Sequence, residues 1–340
     1  MRGLRLIALV CAGLFVLTSC GRSDSVLVPD PVSDIVRVGY TDSAPDYVLA
    51  KLFERALKSR GVPARLDRIE SSSLESGARN VGPTVTRTGS AGHRAKLTAV
   101  ATGVVDVVPE YSGQLLLAMN PDANIVRPGV SPRESVVDSE FDAVFTEMTR
   151  SLPQQVRSLK PAPADRAVVL AVRTKDDRVR QYQTISQLSD RCGRFNMVVH
   201  AYPSDAVELE KYAKVLRDNY RCSPKNVRTS ATASRDADIM VAFGTDPALL
   251  SGDWRILKDD QAIIPTALMF PLVAKSAVNR PRQLILEELA ELITTGDVQE
   301  MQRVEYQTPT ELDAFLKNWL RKKATLAWGI SKKSDFLWLL

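Results

Sequence analysis

The sequence predicts an α/β protein built as two lobes, and three observations carry that reading. Short apolar strands alternate with amphipathic helices along most of the chain, the pattern of sheets covered by helices. The chain has 340 residues, of which roughly 300 read as ordered, more than one hydrophobic core usually serves. The strands end in loops rich in Ser, Thr, Asp and Tyr, where open sheets of this class bind their ligands.

Ile35–Tyr40 alternates as a strand should, and Ser43-Ala44-Pro45-Asp46 then starts a helix with proline and a carboxylate in its first turn. Val48, Leu49, Leu52, Phe53, Ala56 and Leu57 follow at helical spacing, and Gly61 stops the helix. The unit recurs. Val104–Val108 is expected as a strand ended by Pro109, Ala167–Val172 and Phe195–His200 as strands, and Ala206–Asn219 as a helix. Ile239–Phe243 is a strand, and Pro281–Thr295 and Thr310–Lys322 are the last two helices. The resulting sheets are expected to be mostly parallel. Ser71–Gly92, rich in Ser, Gly and Thr, reads as a long surface loop over the cleft or a disordered insertion. The stretch Trp328–Leu340 reads as a tail that docks on the body or touches a partner.

The N-terminus predicts export. Arg2 and Arg5 precede the apolar run Leu6–Leu17, which is too short to span a bilayer needing about 20 residues, so residues 1–19 read as a cleavable signal. Leu17-Thr18-Ser19-Cys20-Gly21 resembles the lipobox of bacterial lipoproteins, which implies acylation of Cys20 and a two-chain anchor in the cell membrane. An ordinary secretory signal with an incidental cysteine is the alternative. Residues 20–34, with Pro29 and Pro31, form the tether that holds the body off the extracytoplasmic face. Cys192 and Cys222 then remain, an even pair expected to form a disulfide in an oxidising compartment, the alternative being two buried thiols. Loss of Arg2 and Arg5 from the 45 Lys and Arg leaves 43 against 40 Asp and Glu. That balance, without a basic block, argues against nucleic acid as a partner.

Chemistry of the common enzyme classes is thin. The two histidines, His93 and His200, lie far apart, and no His/Cys/Glu cluster has metal spacing. Thr88-Gly89-Ser90-Ala91-Gly92 misses the register of a nucleophile elbow, and no phosphate-binding or dinucleotide loop is present. The chain is expected to be no enzyme and to need no cofactor.

One segment carries a family resemblance. Gly103-Val104-Val105-Asp106-Val107-Val108-Pro109-Glu110-Tyr111-Ser112-Gly113-Gln114 resembles the G-I-D-l-y-P-E-Y-T-G-T signature of osmoprotectant-binding proteins of ABC importers, the glycine betaine, carnitine and choline group. Thr184–Leu188, Ala237–Pro247 with its Thr245-Asp246, and Leu257–Asp260 followed by Ile264-Pro265 and Phe270–Val273 match further family segments in order. The resemblance implies a type II periplasmic-binding fold, with lobe one from residues 35–166 and 250–325, lobe two from 167–249, and 326–340 as the tail. It implies a lipid-anchored receptor that captures a small solute and hands it to a membrane permease. The alternative is a lipid-anchored enzyme or envelope assembly factor on the same scaffold, with Thr41, Asp42, Ser90 and His93 as its polar candidates.

On that resemblance Tyr111 belongs to an aromatic box around a trimethylammonium group, held by cation–π attraction; alone it would read as a packed rim residue. Phe243 is the second aromatic candidate, or else plain strand core, and Gln114 stands where the family has a Thr or Ser. Thr41, beside Asp42, occupies the place of the family's carboxylate-binding lysine, and Asp165-Arg166-Ala167 keeps the acid of an Asp-x-Tyr motif without its ring. No arginine occurs between His200 and Asp205, which leaves Arg166 and His93 to compensate. A neutral or cationic solute is therefore expected in preference to glycine betaine.

Overall fold

In a computed structural model, the described residues are 34–70, 90–121, 123, 140–202, 205–232 and 236–328. The signal, Cys20, the tether up to Ser33, the Ser71–Gly89 stretch and the tail beyond Trp328 lie outside them. Among the described residues no helix is long and apolar enough to cross a membrane.

The first lobe opens with β1 (Val36–Tyr40), α1 (Ala44–Ser59), β2 (Ala64–Arg68) and α2 (Ser90–Ala101). It continues through β3 (Val107–Tyr111), α3 (Ser112–Met119), α4 (Glu140–Arg150) and β4 (Val156–Ser158). The Ser43 hydroxyl caps α1 by accepting the Asp46 amide at 3.3 Å, and Gly61 leaves the helix at φ +74°, a left-handed turn that glycine takes without strain. The face Val48, Leu49, Leu52, Phe53 and Leu57 is fully buried against β1 and later helices.

β3 begins later than the sequence pattern predicts and runs through Pro109 instead of ending there. Val104 is half exposed in a turn after Gly103, and Asp106 is fixed by the Arg37 guanidinium at 2.6 Å. Pro109 is tolerated because it stands directly opposite Pro271 on the antiparallel neighbour. Opposed residues in such a pair exchange either two hydrogen bonds or none, and two prolines fit only the second case.

The second lobe holds β5 (Val168–Arg173), α5 (Ile185–Ser189), β6 (Asn196–His200), α6 (Ala206–Tyr220), β7 (Asn226–Ser230), β8 (Ile239–Phe243) and β9 (Trp254–Ile256). Its sheet has the order β7-β6-β8-β5-β9. Because β9 pairs with β5, and Leu257, Ile263 and Ile264 join this lobe's core, the chain returns to lobe one near residue 265 rather than 250. A disulfide joins Cys192 to Cys222, tying the turn before β6 to the end of α6.

The return brings β10 (Met269–Ala274), α7 (Arg280–Leu292), α8 (Thr295–Gln307) and α9 (Leu312–Trp328). β10 inserts between β3 and β4, giving the order β2-β1-β3-β10-β4. Each sheet has a parallel trio and antiparallel additions from β10 or from β5 and β9, so both are mixed rather than mostly parallel. The helix expected to run to Thr295 ends at Leu292. A separate helix, α8, follows because Thr294 and Asp297 cap each other's amides in a capping box.

Two chain segments cross between the lobes, near Ala164–Ala167 and Pro265–Leu268. Asp165 staples them: its Oδ1 accepts the amides of Ala167 at 2.8 Å and Ala267 at 2.9 Å. α8 also reaches across, with Gln299 and Gln302 donating to the Gly244 and Thr245 carbonyls at 2.8 Å each. Tyr306 at its end stacks on Tyr202 of lobe two at 3.9 Å and 12°.

Candidate functional site between the lobes

The C-terminal end of β3 delivers Glu110 and Tyr111 to the junction of the lobes, and both are fully buried. α2 lies over this strand end and presents His93 and Lys96, three residues apart on one helix face. Lys96 is 1% exposed. Its ammonium touches Asp46 at 3.1 Å, Glu110 at 3.3 Å and the Pro109 carbonyl at 3.0 Å. His93 Nδ1 meets Glu110 at 2.5 Å, and its Nε2 faces Glu208 of α6, in the other lobe, at 3.9 Å.

Burial works against the His93 imidazolium, but the carboxylates of Glu110 and Glu208 outweigh it and raise the pKa to about 9. Burial likewise opposes the Lys96 ammonium, and Asp46 and Glu110 more than compensate, raising its pKa. Glu110 and Glu208 are held below the usual carboxylate range despite burial, each with His93 as a cause. The site is therefore a lattice of buried charges whose cations come from lobe one. Stability contributed by His93 is full below its ordinary value of 6.5 and is lost as pH rises through about 9. The melting temperature is expected to fall across that window. His93→Gln should remove the slope; an unchanged slope in the variant would assign it to other groups.

The second half of the site is aromatic. Arg166, on the first crossing, is 3% exposed and lays its guanidinium 3.5 Å over the Phe243 ring and 5.2 Å from the Tyr111 ring. Its Nη2 pairs with Asp205 at the start of α6 at 3.0 Å. Burial raises the Asp205 pKa, with Arg166 pulling the other way. Phe243 belongs to lobe two and Tyr111 to lobe one, so the two rings face one cation from opposite lobes.

The sequence-derived candidates separate cleanly. Tyr111 and Phe243 come together. Gln114 is buried nearby in the first turn of α3, and Gly113 beside it packs so close to the second crossing that a Cβ would lie 2.5 Å from the Thr266 carbonyl. Among the described residues, the Tyr111 hydroxyl, Gln114 Oε1, Arg166 Nε and Thr266 Oγ1 are buried without a hydrogen-bond partner. Thr41 is buried and donates to Asp46 at 2.5 Å, which gives it a supporting place. Asp42 stands apart, exposed and paired with Arg68 at 2.7 Å. Asp165 spends its carboxylate on the crossings. Asp246 holds His200 at 2.6 Å and caps the turn after β8, while buried Thr245 offers its carbonyl to α8. Ser90 begins α2, contrary to its expected place in a loop.

Sequence reasoning read Asp46 only as a helix-start carboxylate and gave no part in the site to Asp46, Lys96, Asp205 or Glu208. The available signal was a run of charged side chains, His93, Lys96 and Glu110, flanking the strand that carries the signature. Among the described residues no group of three or more His, Cys, Asp or Glu could hold a metal ion.

This two-lobed arrangement matches known proteins. A family model described as the substrate-binding domain of ABC-type glycine betaine transport systems (OpuAC) matches residues 78–322. The chain belongs to this family. Among solved structures, a glycine betaine/carnitine/choline ABC transporter protein is 12% identical at a TM-score of 0.63, covering 84% of this chain and 98% of its own. Apo YehZ from Escherichia coli is 16% identical at 0.59, covering 86% and 99%. An ABC-transporter choline-binding protein in complex with choline is 11% identical at 0.53, covering 91% and 98%. These structural likenesses carry the fold alone. The OpuAC family is one of solute-binding proteins of ABC transport systems rather than of enzymes, and its type II fold is the one seen here.

Proposed function

We propose that this OpuAC-family chain is a lipid-anchored receptor of an ABC importer, acylated at Cys20 on the outer face of the cell membrane. It captures a small osmoprotectant-like solute and passes it to a membrane permease. The observation that carries the ligand class is the pair Tyr111 and Phe243, one from each lobe, facing a single cation. Each favourable ring contributes about 0.5 to 2 kcal/mol to holding a quaternary ammonium. Thr41 supplies no cation to receive a solute carboxylate, and Lys96, His93 and Arg166 are already engaged by Asp46, Glu110 and Asp205, which favours a positive or neutral solute. Choline and neutral polar compounds are thus preferred to glycine betaine.

Thermal denaturation against choline, carnitine, glycine betaine, polyols and phenolic compounds tests this reading. A solute at 100 times its Kd stabilises by about 2.7 kcal/mol. Tyr111→Ala is expected to weaken the stabilising solute at least tenfold, about 1.4 kcal/mol. No stabilisation by any of these solutes, or a Kd unchanged by Tyr111→Ala, would reject it.

A further inference from the structure

We infer that Arg166 is an internal stand-in for the ligand: its guanidinium fills the aromatic seat between Tyr111 and Phe243, and an incoming organic cation must displace it to bind. The inference rests on the proposed receptor function and adds the selection rule for its ligand.

The geometry is that of an occupied cation site. A guanidinium carbon 3.5 Å from the centre of the Phe243 ring is at stacking contact, and the Tyr111 ring lies within the roughly 6 Å reach of a cation–π interaction. A planar guanidinium stacks on aromatic faces in this way. Yet the seat is imperfect for arginine. Among the described residues its Nε has no hydrogen-bond partner although the group is buried, and the Tyr111 hydroxyl beside it is equally unpaired. A guanidinium has five donors and needs acceptors for them when removed from water. A quaternary ammonium has no N–H donor, so it adds no unpaired donor of its own when it takes the same place. Charge fits as well: the entering cation inherits Asp205 as its counter-ion when Arg166 swings out. A neutral solute cannot inherit that partner, and an anion is repelled by it. The selected ligand class is therefore a small organic cation without acidic groups.

Choline titrated by calorimetry into the wild type and into Arg166→Gln decides the matter. With the stand-in removed, the variant is expected to bind choline at least tenfold more tightly. In the wild type, arginine side-chain proton signals of Arg166 are expected to sit upfield under the ring currents and to move toward ordinary values when choline saturates the protein. A variant that binds choline equally or less tightly overturns the inference and leaves the receptor function standing, as do signals unmoved at saturation. Failure of choline to bind either protein, while another solute stabilises them, also overturns it alone. Failure of every solute with both proteins overturns the receptor function too. Should Arg166→Gln not fold, Arg166→Met repeats the titration with similar volume and no charge, and the wild-type spectra remain decisive by themselves.

Discussion

Replacing Lys96 with methionine is expected to destabilise the protein by about 3 to 5 kcal/mol, the usual result of deleting one partner from a buried ion pair. Among the described residues Lys96 is the one ammonium that touches both Asp46 and Glu110, and all three side chains are almost wholly buried. Methionine fills the space but leaves Asp46 without its ammonium and Glu110 with His93 as its cation, both out of water. The double replacement Lys96→Met with Glu110→Gln should recover part of the loss, since neighbouring sites in one network are not additive. Urea unfolding measures both. A single variant within 1 kcal/mol of the wild type would mean that the cluster is hydrated or rearranges around the missing charge.

The other large effect concerns the disulfide. Cys192 and Cys222 are 30 residues apart, a loop whose closure is worth roughly 3 to 4 kcal/mol in the chain-entropy treatment. Both residues are buried in the core of lobe two, with Phe195, Leu216 and Tyr220 in the same cluster. The double variant Cys192→Ala with Cys222→Ala is expected to lower stability by that amount while solute affinity of the proposed site stays within twofold of the wild type, on the order of RT ln 2. Unfolding followed alongside calorimetry separates the two. Mass spectrometry showing alkylatable thiols at both positions in the mature protein would remove the premise.

Much of this fold was legible because local rules and tertiary packing agree. The apolar spacing of α1, its Ser43 cap and the Gly61 stop are all visible in the sequence, and the structure uses each of them. β3 was misplaced by three residues because proline is ordinarily a strand breaker, and the opposing Pro271 that makes Pro109 harmless lies 162 positions away. α8 was hidden because Thr294-Thr295-Gly296-Asp297 looks like a terminator; only the reciprocal caps show that it is a start. At the site, Tyr111 could be picked out from the signature and Phe243 from the separate Ala237–Pro247 segment, because each is carried by a short local motif. The charges could not. Asp46, Lys96, Asp205 and Glu208 come from three helices, and their meaning exists only once the lobes meet.

The links made by α8 leave the junction of the lobes unequally tied on its two sides. Two amide-to-carbonyl bonds at 2.8 Å and a stacked tyrosine pair hold one flank. On the other side of the junction His93 of lobe one faces Glu208 of lobe two at 3.9 Å, longer than a hydrogen bond. The α8 flank is thus tied by three close contacts and the His93 flank by one long ion pair. Stiffness is therefore uneven around the junction, greatest along α8 and least beside His93.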